Sequence, residues 1–344
     1  MMFARLFFVI SSVVAVSHSF VSEMDEWDMF HDFKDKFSKD YQDVVELETR
    51  FNIFRTNVRE MIVHNANKTN TFAMDINQFS DLTAAEFKDQ FVSGGFIKNK
   101  HSTRSAVGIG AACSAFSGTG AAVPVSVDWR TKGAVTGVKD QGQCGSCWSF
   151  SASGAMEGAW AISKGELVSI SEQELVDCAG LRYSSSGCNG GQMDGAFKFG
   201  IENGMCSESS YAYTSGVSQT GGSCQKCSAV VSFAECFDVK ANDQLALKEA
   251  VSRQPVAIAI EADTKYFQSY SSGVLTAATC GTSLDHGVLI VGYGAESDGT
   301  KWWLVKNSWA TSWGDQGYVK IARSESKSDA GVCGIAMEAS FVSV

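Results

Sequence analysis

Two residues that could together cleave an acyl bond stand far apart in this chain. Cys147 closes a CGSC run that begins at Cys144, and the single histidine beyond residue 101, His286, follows about 140 residues later. A thiolate is a strong nucleophile, and a neighbouring imidazole can take the thiol proton and later protonate a leaving group. The pair predicts a cysteine hydrolase with no substitute base in the C-terminal two-thirds of the chain.

A simpler interpretation of the same run is a Cys144–Cys147 disulfide or half of a metal site. A second CxxC pair, Cys224 and Cys227, keeps a zinc site open, but structural zinc sites usually separate their halves by only ~15–20 residues. A redox CxxC normally follows the first strand of a βαβ unit, which is not predicted here. We therefore expect no metal ion and no cofactor.

A helix is predicted to begin at Cys147, because apolar residues follow it at steps of three and four. The apolar face is formed by Trp148, Ala152, Ala155, Ala159 and Ile162, and Gly165 is expected to end the helix. The free N–H groups and dipole of a helix N-terminus lower the pKa of a thiol placed there. The predicted helix therefore holds Cys147 where its thiol is most easily activated.

His286 belongs to a part of the chain that is typical of β-structure. After Pro255, short apolar runs alternate with glycine-rich turns, and the predicted strands cover residues 256–260, 288–291, 302–305 and 318–322. Helices in the front of this unit and strands in its back predict an α+β protein with two packed subdomains.

The first third of the chain has a different organisation. Residues 23–88 are rich in charge and aromatic side chains, and they predict two amphipathic helices followed by a short strand at 71–74. Residues 94–122 are dominated by Gly, Ser, Ala and Thr, which predicts an exposed linker of the kind that proteases cut. The sole Asn-X-Ser/Thr sequence makes Asn67 a candidate glycosylation site.

Composition and the N-terminus indicate an acidic, secreted protein. Arg5 precedes an apolar run that is shorter than the roughly 18 residues of a membrane helix, which predicts a signal peptide over residues 1–19. The 11 cysteines suggest disulfides formed in an oxidising compartment. A net charge of −10 without basic runs argues against nucleic acid and membrane surfaces as partners.

Several motifs resemble those of one enzyme family. The CGSCW run at 144–148 is followed at the expected distance by Asp285-His286-Gly287 and by Lys306-Asn307-Ser308-Trp309. Residues 27–344 therefore resemble the papain family of cysteine peptidases, and in particular its cathepsin L-like members. The resemblance implies a papain-like α+β fold over residues 123–344, with a helical left subdomain and a β-barrel-like right subdomain. It also implies a mainly helical propeptide over residues 20–122, with an inhibitor domain at 26–88 and the linker at 94–122.

The resemblance assigns a role to each residue of these motifs. Cys147 would be the nucleophile that forms a thioacyl-enzyme with a peptide or protein substrate, and His286 would be its proton carrier. Asn307 would accept a hydrogen bond from His286, and Trp309 would shield that bond from water. Gln141 would supply a side-chain donor to the oxyanion hole.

The resemblance also implies a substrate cleft with a pocket for P2, the substrate residue before the cleaved one. The implied substrate-binding residues are Gly190, Gly191, Gln192, Met193, Ala259, Leu284, Asp285, Gly287, Trp309 and Glu338. The pocket would be mostly apolar, while Glu338 at its floor could pair with a basic P2 residue and lose that preference when protonated. Alternatively, residues 335–341 alternate in character, and Glu338 lies on the wet face of a strand.

The front segment resembles two propeptide motifs of cathepsin L-like zymogens. The matching residues are Glu46, Arg50, Phe54, Asn57, Met61 and Asn65 on one helix face, and Asn77, Phe79 and Asp81 beyond it. Met61 replaces the usual Ile, and Asp75 stands where the second motif has Gly. The resemblance implies that the chain's own propeptide is an intramolecular inhibitor, which crosses the cleft opposite to substrate until acid weakens its carboxylate contacts.

Three disulfides are implied by the resemblance, namely Cys144–Cys188, Cys178–Cys224 and Cys280–Cys333. A fourth is expected among Cys206, Cys227 and Cys236, which would leave one odd thiol, and Cys227 could replace Cys224.

The chain departs from the family at two positions near the motifs. Gly137 stands where Pro is usual, and Ala310 stands where Gly is usual, directly after Trp309. If Ala310 needs a positive φ, its Cβ strains the loop that carries Asn307. We expect a local adjustment and not a loss of activity.

We expect an endopeptidase, because no second late histidine offers the cleft-blocking element of the exopeptidase relatives. The resemblance implies a monomer, cystatin-type protein inhibitors as further partners, and a lysosomal, vacuolar or extracellular destination. The alternative is a catalytically silent homologue that acts as a binding or inhibitory protein. Covalent labelling of Cys147 by a thiol trap separates the two.

Overall fold

The computed structural model describes residues 23–92, 94–96, 113–276 and 279–344. The predicted signal peptide and linker residues 97–112 lie outside these ranges. The α-helices are α1 (Glu23–Phe37), α2 (Val44–Ala66), α3 (Ala84–Phe87), α4 (Cys147–Lys164), α5 (Glu172–Cys178), α6 (Met193–Asn203), α7 (Ser215–Ser218), α8 (Gln244–Arg253) and α9 (Lys265–Gln268). The strands are β1 (Phe72–Met74), β2 (Ser114–Phe116), β3 (Val127–Asp128), β4 (Glu235–Val239), β5 (Val256–Ile260), β6 (Tyr270–Leu275), β7 (His286–Ala295), β8 (Lys301–Lys306), β9 (Tyr318–Ala322) and β10 (Ala339–Ser343).

The helices α1 and α2 are the two amphipathic helices that the sequence predicts. Their apolar faces meet in a separate cluster in which the rings of Phe33 and Phe54 lie 4.9 Å apart. Arg59 of α2 donates two hydrogen bonds, of 2.6 and 2.9 Å, to the buried carboxylate of Glu26 in α1. The two helices are therefore held together by a small apolar core of their own, separate from the cores of the rest of the protein.

One ten-stranded sheet runs through the predicted propeptide and the predicted peptidase unit. Its order is β1-β6-β9-β8-β7-β5-β10-β4-β2, and β3 pairs with β7. The four strands predicted after Pro255 are present as β5, β7, β8 and β9. The strands at the two ends of this order, β1 and β2, both come from residues before 123, so the sheet crosses the predicted boundary between propeptide and peptidase twice.

Helix α4 begins at Cys147 and is followed by Gly165 in the left-handed region at φ +75°, as predicted. Its many Ala, Ser and Gly residues allow neighbours to approach closely on most sides, and Ser151 Oγ donates to Val288 O of β7 at 2.6 Å. The predicted apolar face is wrong at Ile162, which is 43% exposed. The reason is that the last turn of the helix lies at the surface.

Two apolar cores flank α4. One joins α4 to α5 and α6 through Met156, Leu175 and Phe197, and the other is enclosed by strands and includes Ile258 and Trp303. This segregation of helices and strands confirms the predicted α+β arrangement. Within the described ranges, no helix has both the length and the apolar character needed to cross a membrane.

Candidate active site

Cys147 is the first residue of α4 and lies fully buried between the two cores. It is the one cysteine that has no disulfide partner in the described part of the chain. The backbone N–H of Gly287 donates to its Sγ at 3.1 Å, and the disulfide Cys144–Cys188 fixes the turn that leads into the helix. A thiol at a helix N-terminus, facing backbone donors, is in a position where its thiolate can be stabilised.

His286 and Asn307 meet because β7 begins at His286 while the antiparallel β8 ends just before Asn307. Their contact joins His286 Nε2 to Asn307 Oδ1 at 2.8 Å. The same oxygen accepts the backbone N–H of Ser308 at 2.8 Å, which fixes the orientation of the Asn307 amide. Since an amide oxygen only accepts, Nε2 must carry the proton and Nδ1 is left as the basic nitrogen.

The other ring nitrogen of His286, Nδ1, is available to accept a proton. Among the described residues, no hydrogen-bond partner reaches the buried Nδ1 of His286. Gly287, the next residue in the chain, contacts Cys147 Sγ directly. Asn307 thus holds one ring nitrogen of His286, while the next residue, Gly287, contacts the thiol that a base at Nδ1 would deprotonate.

Burial keeps the pair uncharged while the site is covered. It raises the pKa of the Cys147 thiol to about 12. It also lowers the pKa of His286 to about 4, an effect that the hydrogen bond to Asn307 only partly offsets. At neutral pH both groups are therefore neutral, and the covered site does not hold a thiolate–imidazolium pair.

Trp309 covers the imidazole. Its ring stacks on His286 at 4.6 Å between centroids and is 1% exposed, so it shields the His286–Asn307 bond as expected. Two propeptide rings, Phe79 and Phe87, meet Trp309 edge-on at 5.5 and 5.3 Å. The propeptide therefore docks on the residue that protects the base.

Gln141 is fully buried beside the first turn of α4. Its Nε2 donates to Cys144 O at 3.0 Å, and its Oε1 accepts from Ser308 Oγ at 2.7 Å. An amide nitrogen carries two N–H groups, and these two contacts fix the plane in which the second lies. The side chain is held rigidly, as an oxyanion donor needs to be.

Residues 94–96 of the predicted linker cover the nucleophile. A Cβ built on Gly95 would lie 2.6 Å from Cys147 Sγ, so the propeptide backbone passes in contact with the thiol. Phe96 then forms a parallel bridge with Gly191, while Gly94 lies against Asn189. Of the predicted cleft residues, Gly191 is thus covered by the predicted propeptide, while Gly190 lies between the two contacted residues.

A cavity of about 380 Å³ opens beside residues 94–96, with Phe96 in its lining. Of the predicted P2 residues, Gln192, Met193 and Glu338 line it. Ala259 and Leu284 lie instead in the core next to Met193, Gly287 contacts the nucleophile, and Asp285 accepts from Ala262 N.

Sequence reasoning missed two acidic residues of this cavity, Asp194 and Asp238. Burial, followed by the repulsion of Asp194, raises the pKa of Asp238 to about 7. No periodic signal marks either residue, because α6 and β4 bring them together only in the folded chain. The half-buried Glu338 lines the same cavity, and both interpretations of Glu338, as a P2 residue and as a residue on a wet strand face, stay predictions.

The motif residues of the propeptide mostly hold the propeptide itself together. Asn65 exchanges two hydrogen bonds with the backbone of Met74, and Asn57 donates to Ser80 O and Leu82 O at 2.9 Å. Arg50 donates to Glu86, while Glu46 accepts from Gln42 N and Asp81 accepts from Lys39 and Tyr41. Phe54 and Met61 are buried. Asn77 reaches the peptidase, donating to Gln268 O at 2.7 Å.

The disulfides match the implied pairs and add two more. Cys144–Cys188, Cys178–Cys224 and Cys280–Cys333 are present, and Cys206 pairs with Cys227. The expected odd thiol is wrong, because Cys113 of the linker pairs with Cys236. The alternatives of a Cys144–Cys147 bridge and of a zinc site using Cys224 with Cys227 are wrong as well, since Cys144, Cys224 and Cys227 each form a different disulfide.

The two departures from the family differ in consequence. Ala310 has φ +57°, a strained conformation for a residue with a Cβ, and its N–H donates to Lys139 O at 3.0 Å. The loop nevertheless keeps Asn307 on His286. A Cβ at Gly137 would meet open space, so that position puts no constraint on the site. Asn67, the candidate glycosylation site, is exposed at the end of α2.

Comparisons with known proteins agree with this geometry. Residues 123–343 match the model of the papain family cysteine proteases, and residues 30–87 match the cathepsin propeptide inhibitor domain. Cysteine endopeptidase RepA of Oryza sativa subsp. japonica is 46% identical over 86% of this chain and 78% of its own, and vignain of Vigna mungo is 43% identical over 96% and 91%. The structure of digestive procathepsin L 3 from the larval midgut of Tenebrio molitor covers 93% of this chain and 99% of its own, at 37% identity and a TM-score of 0.82. The chain therefore belongs to the papain family of cysteine proteases and carries the inhibitory propeptide of its proenzymes.

Proposed function

We propose that this chain is the zymogen of a cysteine endopeptidase in which Cys147 attacks the peptide carbonyl. The bond between His286 Nε2 and Asn307 Oδ1, beside a free cysteine at the start of α4, carries the proposal. Nδ1 of His286 takes the thiol proton as Sγ bonds to the carbonyl carbon. The C–N bond then breaks, the amine leaves with that proton, and water hydrolyses the thioacyl-enzyme.

The carbonyl oxygen gains negative charge during the attack, and Gln141 is the proposed side-chain donor to it. Its amide plane is fixed by Cys144 O and Ser308 Oγ, so the donor needs no reorganisation when the charge develops. Removing one such donor typically costs ~10²–10³ in kcat. The name of the relative cysteine endopeptidase RepA supports cleavage within chains.

The direct test of this proposal is protein digestion by the acid-activated enzyme. Internal cleavage of a denatured protein substrate is expected, with large fragments appearing first and no activity in a Cys147→Ser variant. Release of single residues or dipeptides only, from either end of the substrate, would contradict the endopeptidase assignment.

For specificity, we propose that the cavity lined by Met193 and Glu338 accepts P2 side chains of two kinds. Met193 and its apolar neighbours favour a hydrophobic P2 residue. The carboxylate of Glu338 favours Arg or Lys, since a charge-assisted hydrogen bond contributes more than a neutral one. Asp194 and Asp238 on the same cavity add to its negative character.

The matched pair Glu338→Ala and Glu338→Gln tests the role of that carboxylate. With Arg–Arg dipeptidyl reporters, both variants are expected to lose about 10-fold or more in kcat/KM. With Leu–Arg reporters, the Gln variant keeps nearly the parent value because the volume of the pocket is unchanged. Equal losses on both reporters would contradict the P2 assignment.

We also propose passage through the secretory pathway, to a lysosome-like vacuole or to the outside. The five disulfides support an oxidising compartment during folding. Cystatin-type inhibitors would compete for the cleft that residues 94–96 occupy in the zymogen. A fluorescent protein fused behind residues 1–19 checks the route, because its retention in the cytosol would contradict it.

A further inference from the structure

One disulfide joins the two sides of the predicted boundary at residue 123. Cys113 lies in the predicted linker and Cys236 in β4 of the peptidase, with their Cα atoms 4.8 Å apart and 123 positions apart in sequence. The other four disulfides are formed within the peptidase. A cut anywhere between propeptide and peptidase therefore leaves Cys113 attached to the enzyme through this bond.

The residues after Cys113 form part of the sheet. β2 pairs in parallel with β4, matching Ser114 to Phe237 and Phe116 to Val239. Lys240 N donates to Phe116 O at 2.8 Å, and the Phe116 ring meets the Phe341 ring of β10 edge-on at 5.3 Å. This segment is thus held by backbone pairing and by a ring in the core of the peptidase.

A second anchor follows at Glu249 of α8. The carboxylate of Glu249 accepts from Thr119 N at 2.7 Å, from Thr119 Oγ1 at 2.8 Å and from Gly120 N at 3.1 Å. Glu249 is 4% exposed, and Arg253 of the same helix also donates to it. Glu249 thus accepts four hydrogen bonds, three of them from Thr119 and Gly120, and so binds this segment at a defined position.

The anchored strand also lies at the cavity of Glu338. Ala115 stands opposite Asp238 in the β2–β4 register, and both residues line the cavity together with Glu338. Without β2, the edge of β4 would be unpaired and the Asp238 side of the cavity would open to water.

We propose that residues 113–122 are a permanent element of the active protease, retained by the Cys113–Cys236 disulfide and forming one wall of the Glu338 cavity. A cut before Cys113 leaves this segment as an N-terminal arm, and a later cut leaves it as a disulfide-linked fragment. A short segment held without a covalent bond would be diluted into solution once cut, whereas the disulfide keeps its local concentration high. The part of the proposal that concerns the wall rests on the proposed P2 function, while retention does not.

Retention is measured on the wild-type chain, expressed with its disulfides and activated in acid without reductant. Iodoacetamide is expected to label Cys147 alone, and digestion without reduction should yield a Cys113 peptide linked to a Cys236 peptide. Detection of Cys236 as a second free thiol, in an active enzyme that lacks residues 113–122, would overturn the proposal. If the chain does not cleave itself, an added aspartic protease supplies the cut, so that retention is measured even if the proposed protease activity fails.

The role as a wall is measured with the double variant Cys113→Ser/Cys236→Ser. Its matched control, Cys206→Ser/Cys227→Ser, removes a disulfide that does not reach the linker. Both variants carry a site for a sequence-specific protease between Ala122 and Val123, so that the cut falls after Cys113. After cleavage and washing, the first variant should lose residues 113–122 and change its ratio of kcat/KM for Arg over Leu at P2 by several-fold. The control should keep both the segment and the ratio. A parent-like ratio in the first variant, after verified loss of the segment, would overturn the role of β2 in specificity.

Discussion

At the scale of single residues, we expect the zymogen to be silent because residues 94–96 cover Cys147 and because burial disfavours the charged forms of the catalytic groups. The thiol of Cys147 has a pKa near 12 and the imidazole of His286 a pKa near 4, each for the same reason, loss of water around the charged form. Removing residues 94–96 from the cleft admits water and substrate. The helix N-terminus and the orientation imposed by Asn307 can then favour the ion pair.

His286→Ala should strongly reduce turnover in the mature enzyme. Every other histidine lies at residue 101 or before, in the part predicted to be removed or displaced, so no imidazole replaces it. A fall of about 10²–10⁴ in kcat/KM is expected from the loss of a general base.

The measurement uses proenzyme matured in trans by an aspartic protease, which is then blocked, so that failed self-activation does not confuse it. The exposed propeptide residue His31 provides the control, since His31→Ala should leave the kcat/KM of the mature enzyme unchanged. Near-parent activity of matured His286→Ala would contradict the assigned base.

The sequence predicted Cys147, His286, Asn307 and Gln141 because each lies in a local motif whose residue types match its chemistry. It did not predict Asp238 in the cavity or Cys113 as the partner of Cys236. Those contacts depend on pairing between β2 and β4, two short strands that are distant in sequence and carry no alternation or turn signal.

At the scale of elements, inhibition depends on a stretch of backbone that fits against the nucleophile only without a side chain. Gly95 does not have a positive φ, so space and not conformation excludes a Cβ. Gly95→Ala should lower the stability of the docked propeptide by about 1–3 kcal/mol, the usual range for overpacking.

A double-mutant cycle assigns that loss to the nucleophile. Thermal unfolding at neutral pH is compared for Gly95→Ala in the parent and in a Cys147→Ala background, where Sγ is absent. Most of the loss should vanish in the second background. Equal losses in both would contradict contact between Gly95 and Cys147 Sγ.

The turn that starts α3 makes the propeptide sensitive to acid. Burial tends to raise the pKa of Glu86, but hydrogen bonds from Thr83 and the ion pair with Arg50 at 2.9 Å outweigh it, and the net pKa is lowered. A lowered pKa means that the contribution to stability is full above the unfolded value of about 4.3 and is lost as pH falls through the folded pKa. The propeptide should therefore loosen below about pH 4.

Glu86→Gln isolates this effect, because Gln keeps a capping side chain but removes the charge. Its self-activation should be faster than that of the parent at pH 5, and the two rates should converge near pH 3, as measured by the time course of cleavage. Glu48→Gln, at an exposed position of α2, is the matched control for loss of a propeptide charge. A constant ratio of rates across this pH range would contradict the role of Glu86.

At the scale of the whole molecule, propeptide and peptidase share one sheet and a set of ion pairs. β1 pairs with β6, Lys88 meets Asp263 at 2.5 Å, and Lys265 meets Glu60 at 2.9 Å. The α+β class and the main strands could be predicted from periodicity. The sheet order could not, because both of its ends are strands of three residues supplied by the propeptide segment and stabilised by tertiary pairing.

The central claim is that Cys147 is a nucleophile that the propeptide holds silent. Its most direct measurement is mass spectrometry of the intact protein after exposure to a peptidyl epoxide, before and after acid activation. One inhibitor molecule on Cys147 is expected in the activated enzyme. Labelling of the zymogen at pH 7 should be slower by about 10²-fold or more, because little of its buried thiol is present as the reactive thiolate. Failure to label Cys147 after activation, or equal labelling before and after it, would contradict the account.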